Sequence, residues 1–152
     1  MQGNVVSVER TIAAPAAHIF ELLADAAKHE LIDGSGTVKG TEGDADSEPL
    51  HQGSTFGMTM KAGVPYRMVN KVVEFEPDRR IAWQTRTGPL GLIGGRIWRY
   101  ELSPVEDGTL VRETWDVSQD RQRPMLKVGA MPKQAEDGMR ATLERIAAIL
   151  EP

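Results

Sequence analysis

The stretch RIWRYELSPVEDGTLVRETWDV, from Arg96 to Val117, decides the architecture. It reads as two strands joined by a turn. With Trp98 opposite Trp115, Tyr100 faces Glu113 and Leu102 faces Val111. The same register sets Glu101 opposite Arg112 on the outer face, an opposite-charge cross-strand pair. A slip of one residue would break both patterns together. The inner face then carries two of the chain's three tryptophans and one carboxylate. A sealed core has little use for Glu113; a pocket with a polar anchor does.

Upstream the β pattern continues. STFGMTMK places Phe56, Met58 and Met60 on one face. YRMVNKVVEFE and RIAWQTRTG flank EPDR, a turn centred on Pro77 and Asp78. Ile81 and Trp83 share a face, and either Val72 or Val73 lies opposite Trp83. Residues 4–12 form a first strand, and AAPAAHIFELLAD follows as a helix with Pro15 at its first position. DAAKHELI is a second short helix capped by Asp25. Another strand begins near Gly36, and 41–52 reads as a polar loop.

Residues 124–150 are helical, with Met139, Leu143, Ile146 and Leu150 recurring at helical spacing. Pro132 either starts the main helix or kinks a longer one. The order predicts an α+β domain: a first strand, two short helices, a curved antiparallel meander and a long C-terminal α-helix. The strands offer more inward positions than one helical stripe covers, and the space left over, lined by Trp, Met and Tyr, reads as a ligand pocket.

The 152 residues fit one domain, 1–152, with a net charge of −4 and no lysine or arginine cluster. A nucleic-acid partner is therefore not expected. The chain has no cysteine, and no apolar run reaches the ~20 residues of a membrane span. A cytoplasmic location is the expectation, with oligomeric state open. His18, His29 and His51 do not have the spacing of a metal set. His29 is expected as a solvated surface residue, with a pocket-mouth pairing to Asp33 as the alternative. No G-x-S-x-G motif is present, and GSG at 34–36 lacks the spacing of a dinucleotide loop, so no cofactor is expected. GPLGLIGG at 88–95 has three readings: a flap hinged at Gly94 and Gly95, a tight loop with tucked leucines, or an apolar patch for dimerisation.

In VERTIAAPAAHIFELLAD, VVEFEPDRRIAWQTRTG and WRYELSPVEDGTLVRETWDV, with the amphipathic C-terminal helix behind them, the chain resembles the START-like (SRPBCC) superfamily. The resemblance is to its bacterial polyketide cyclase/dehydrase-type branch. It implies a helix-grip fold, in which seven antiparallel strands grip the C-terminal helix around an apolar cavity. It also implies binding of lipids, polyketides or other hydrophobic molecules, with catalysis in a minority of members.

Glu113 is the candidate general acid or base; it either serves that role, hydrogen-bonds Tyr100, pairs with Arg96, or reaches solvent. Phe56, Met58, Met60, Tyr66, Met68, Trp83, Trp98, Tyr100, Trp115, Met131, Ala135 and Met139 are the candidate ligand-binding residues. The primary expectation is a binder of a small hydrophobic ligand. The alternatives are a cyclase or dehydratase using Glu113 and a protein-interaction domain without ligand.

Overall fold

The computed structural model describes residues 1–35, 38–43, 49–62, 64–88 and 91–152, with the backbone alone at 38–43, 58–62 and 64–66. Strand β1 spans Val5–Ile12 and is followed by α1, Ala16–Leu23. Pro15 caps α1 from outside, at φ −64° and ψ 146°, rather than opening it. DAAKHELI divides into a 3-10 turn over Ala26–Lys28, whose Asp25 side chain accepts from the Ala27 amide, and α2, His29–Ile32. Strands β2 (Val38–Gly43), β3 (Thr55–Ala62), β4 (Val64–Glu76), β5 (Arg80–Thr87), β6 (Ile93–Val105) and β7 (Gly108–Asp116) complete the sheet. β2 therefore takes in the start of the expected 41–52 loop, because it pairs with β3 from Val38 to Gly43. The chain ends in α3, Arg123–Leu126, and α4, Met131–Leu150, with Pro132 in the first turn of α4. Pro132 thus starts the main helix.

The strands form one seven-stranded antiparallel sheet in the order β1-β7-β6-β5-β4-β3-β2. Helix α4 packs against β1 and β7 and touches α2. Its buried residues Met139, Thr142, Leu143, Ile146 and Ala147 form one stripe. Burying each large apolar side chain of that kind stabilises by about 1.5–3 kcal/mol.

The β6–β7 register matches the sequence pattern: Trp98 opposes Trp115, Tyr100 opposes Glu113, and Leu102 opposes Val111. Glu101 also opposes Arg112, but their ion pairs run elsewhere. Glu101 meets Arg80 at 3.2 Å, and Arg112 meets Glu9 at 3.0 Å. Each charge has a complementary neighbour on its other side, so the outer face carries a ladder across several strands. Val72 faces Trp83 because the register shifts between Val72 and Glu74, leaving Val73 as the extra residue of a bulge.

Gly94 and Gly95 are part of β6 and do not form a flap hinge. The β5–β6 register shifts there, and both glycines have positive φ, 103° and 118°. A side chain on Gly95 would strike the Gln119 carbonyl, so only glycine lets the segment after β7 lie this close. Leu92 and Ile93 are exposed rather than tucked under the sheet edge; Leu90 lies outside the described residues.

Asp120 fastens that crossing. Its buried carboxylate accepts from the Arg96 amide and Nε and from the Gln122 amide. The Arg96–Asp120 pair, at 3.1 Å, answers where Arg96 goes: not to Glu113. Removing one member of a buried pair leaves an uncompensated charge. Asp120→Ala is therefore expected to lower stability by about 3 kcal/mol, read from urea unfolding followed by circular dichroism.

Candidate functional site

Four parts of the chain converge on one cavity: the inner faces of β5, β6 and β7, helix α2, the turn at 33–35, and the first half of α4. The cavity measures about 130 Å³. That is comparable with the ~150 Å³ apolar cavity known to take up benzene. Trp83, Trp98, Tyr100 and Glu113 contribute the sheet side, and Ala135, Gly138, Met139 and Thr142 the helix side.

The period-two alternation of β5–β7 supplies one continuous wall. Trp83 opposes Trp98 in register, and its ring lies 5.6 Å from that of Tyr100. Behind the wall Trp115 packs 6.3 Å from Trp98 and is 2% exposed. Phe56 meets Trp83 edge-on at 5.6 Å. Such offset aromatic contacts fix ring orientation as well as burying area.

Helix α2 brings His29 and Ile32 to the cavity on one face, three residues apart. His29 is not the solvated residue expected from the sequence. It is 4% exposed, stacks on Trp83 at 4.7 Å, and receives the edge of Phe56 at 5.1 Å. Its Nε2 lies 2.8 Å from the Leu23 carbonyl oxygen, and a carbonyl only accepts. Nε2 therefore carries the proton, and Nδ1 is a bare acceptor, buried without a partner among the described residues. Burial lowers the His29 pKa, outweighing the Leu23 hydrogen bond and the nearby Asp25 and Asp33.

Glu113 is 3% exposed, opposite Tyr100. Burial drives its pKa well above the ordinary carboxylate value; the hydrogen bond from Tyr100 opposes this, and Asp33 adds to it. Its Oε1 has no partner among the described residues. Burial likewise raises the Tyr100 pKa, with Glu113 contributing. Of the structural readings of Glu113, the place beside Tyr100 is realised, while pairing with Arg96 and exposure to solvent are not.

The turn at 33–35 closes the cavity against α4. The Gly34 amide donates to Thr142 Oγ1 at 2.8 Å, and Thr142 donates in turn to the Gly138 carbonyl. A side chain on Gly34 would drive into the α4 backbone at Ala141 and Thr142. Gly138 faces Ser35 across the same junction, where a Cβ would make only ordinary van der Waals contact, 3.4 Å from Ser35 Cβ.

Of the residues predicted from sequence, Trp83, Trp98, Tyr100, Glu113, Ala135 and Met139 meet at the cavity. Phe56, Met68 and Trp115 are buried in the sheet but do not line it, and Met131 is 38% exposed at the start of α4. The side chains of Met58, Met60 and Tyr66 lie outside the described residues. The sequence reading did not place Ile32, Gln134 or Thr142 here. The His29–Ile32 spacing within HELI was the available signal.

A seven-stranded sheet gripping a C-terminal helix, with short helices after the first strand, is the helix-grip architecture of START-like proteins. The chain belongs to the polyketide cyclase/dehydrase and lipid transport family, whose sequence model matches residues 4–151. In general terms it is thus a hydrophobic ligand-binding domain. It is 39% identical over 115 residues to the uncharacterized protein Rv0088 of Mycobacterium tuberculosis, covering 73% of this chain and 46% of that protein. The chain thus spans about half the length of the curated relatives it matches. The crystal structure of CV1439 from Chromobacterium violaceum superposes with a TM-score of 0.70 at 20% identity, covering 98% of each chain. A solution structure from Arthrobacter aurescens gives 0.73 at 18% identity, covering 98% of this chain and 87% of that one. Among the described residues no helix is long and apolar enough to cross a membrane, and no cluster of metal-ligating side chains occurs.

The raised Glu113 pKa has a definite sign in stability. Between the unfolded value, near 4.5, and the folded value, the native state binds the extra proton. Stability from this group is thus full at acid pH and falls as pH rises, by about 1.4 kcal/mol per unit across that window. Glu113→Gln removes the titration. Urea unfolding at pH 5 and pH 8 should show wild type losing stability relative to Glu113→Gln at the higher pH.

Proposed function

We propose that this protein binds a small hydrophobic molecule, of lipid, polyketide or aromatic type, in the cavity between the sheet and α4. The observation that supports this best is a cavity of about 130 Å³ walled by Trp83, Trp98 and Met139, with a polar group, Tyr100–Glu113, at one side. Desolvation of the ligand's apolar surface against the indoles drives binding, and the polar group fixes orientation. Trp83, Trp98, Tyr100, Ala135 and Met139 are the residues in contact with ligand. Phe56 and Trp115 support that wall from within the sheet.

A second reading, a cyclase- or dehydratase-type enzyme, draws on one feature. A carboxyl held neutral by burial is a ready proton donor, so Glu113 would act as general acid with Tyr100 beside it. The two readings part at Glu113→Gln. The amide keeps hydrogen-bonding capacity, so a binder retains affinity within a few-fold, whereas an enzyme loses turnover.

Native mass spectrometry of freshly purified protein, followed by denaturation and analysis of released compounds, tests the binding reading. A defined small hydrophobic mass lost on unfolding is expected. Ala135→Leu fills the helix side of the cavity, so it should abolish that mass while the circular dichroism spectrum stays unchanged. A mass retained in Ala135→Leu would move the ligand out of this cavity.

A further inference from the structure

Two stretches far apart in sequence meet at one end of the sheet. The chain carries a net charge of −4, yet neither 81–100 nor 121–135 contains an acidic residue, while together they hold seven lysines and arginines. Hydrogen bonds join the two. The Arg121 amide donates to the Gly94 carbonyl at 3.0 Å, and the Gly94 amide donates to Gln122 Oε1 at 2.7 Å. Arg86 opposes Gly94 in register, and its side chain runs beside Gly91 in the β5–β6 turn. From Arg121 the chain passes directly into α3 and the start of α4. A band thus runs from the β5–β6 turn through 121–131.

The cations of this band are unspent. Arg86, Arg121, Arg123 and Lys127 form no ion pair among the described residues, and Arg123 donates only to the Ser118 carbonyl. On the outer sheet face, by contrast, Arg80, Arg99 and Arg112 each meet a carboxylate. The acids that adjoin the band in sequence are taken: Asp120 is buried against Arg96, and Asp116 meets Arg99. Apolar side chains stand between the cations. Met125 is 69% exposed and Val128 63%, and Leu92 and Ile93 of the turn are exposed as well. Met131 closes the band one helical turn before Ala135, which lines the cavity, so the two share a face of α4.

We infer that this band docks the protein on an anionic phospholipid surface, with its cations against the headgroups and Leu92, Ile93, Met125 and Val128 in the acyl boundary. The inference stands whatever ligand fills the cavity. Because the whole chain is acidic, attraction to an anionic surface has to come from a local excess of cations, and the band supplies one. Apolar side chains interleaved with those cations gain by entering lipid, a gain that a purely acidic partner does not offer. Among the described residues none of the exposed large apolar side chains is aromatic, so the bases of a nucleic acid find nothing to stack on. A second copy set face to face would oppose cation to cation. Docking of this kind turns Met131, and the cavity wall that follows it on α4, toward the lipid.

Flotation of the full chain with lipid vesicles at low ionic strength tests this. The vesicles are phosphatidylcholine alone, or phosphatidylcholine and phosphatidylglycerol in equal parts. Binding is expected to the anionic vesicles only, and to fall as salt is added. Arg121→Gln with Lys127→Gln should weaken it about twenty-five-fold, since each cation near such a surface contributes about fivefold. Met125→Ser with Val128→Ser should weaken it about tenfold at unchanged charge. Arg79→Gln with Arg145→Gln removes the same charge outside the band and should leave binding within a few-fold. All six side chains are exposed, so each variant is expected to keep the wild-type circular dichroism spectrum. The inference is overturned if the anionic vesicles fail to bind, or if the Arg79 and Arg145 variant loses as much as the Arg121 and Lys127 variant. It is also overturned if polyglutamate or duplex DNA binds as tightly as the vesicles while the serine variant has no effect, which would assign the band to an acidic macromolecule.

Discussion

The pairing of β6 with β7 is the constraint on which the rest depends. Its register sets Trp98, Tyr100, Glu113 and Trp115 on one face, and Glu101 and Arg112 on the other. A slip of one residue would put the carboxyl of Glu113 into solvent and the charged ladder into the interior. The neighbouring pairings inherit that choice, since β1 joins β7 and β5 joins β6 with every inward residue already fixed. Helix α4 then meets a surface with both apolar bulk and one polar group. The cavity is the part of that surface that the helix stripe leaves uncovered.

Burying Glu113 and His29 opposes stability, and the surroundings offset the cost only in part. Tyr100 answers one oxygen of Glu113, and Leu23 answers one nitrogen of His29. The second polar atom of each is unmatched among the described residues. An interior selected for stability alone would replace both with apolar side chains of like volume. Elsewhere the fold is economical: Asp120 satisfies two backbone amides and a guanidinium with one carboxylate. The cavity is not alone in carrying such a cost, since Nδ2 of the buried Asn70 on β4 is also without a partner among the described residues.

Much of this was legible in the sequence because the signals were local and periodic. Strict alternation fixed the β6–β7 register, and a helical stripe with a proline near its start fixed α4. What escaped depended on irregularity or on distance. Val73 is an extra residue in a bulge, which a period of two cannot express. The same holds for Gly94 and Gly95, whose composition suggests a hinge although the segment after β7 locks them in place. His29 was misjudged because a short polar helix reads as surface. Its burial comes from Phe56 and Trp83, far away in sequence. Arg96 offered itself to Glu113 on the inner face, and only the fold of the chain around Asp120 shows where its charge is spent.

The placement of the tryptophans has one more consequence. All three lie on β5, β6 and β7, and the described residues of β1–β4 carry none. Intrinsic fluorescence of this protein is therefore a local signal, dominated by one wall of the cavity and its immediate backing. On the β2–β3 side the link to an indole is Phe56 of β3, whose ring meets Trp83 edge-on at 5.6 Å. Emission followed during denaturation thus times the loss of the cavity wall, and it also registers the departure of β3, because Trp83 then loses its Phe56 contact.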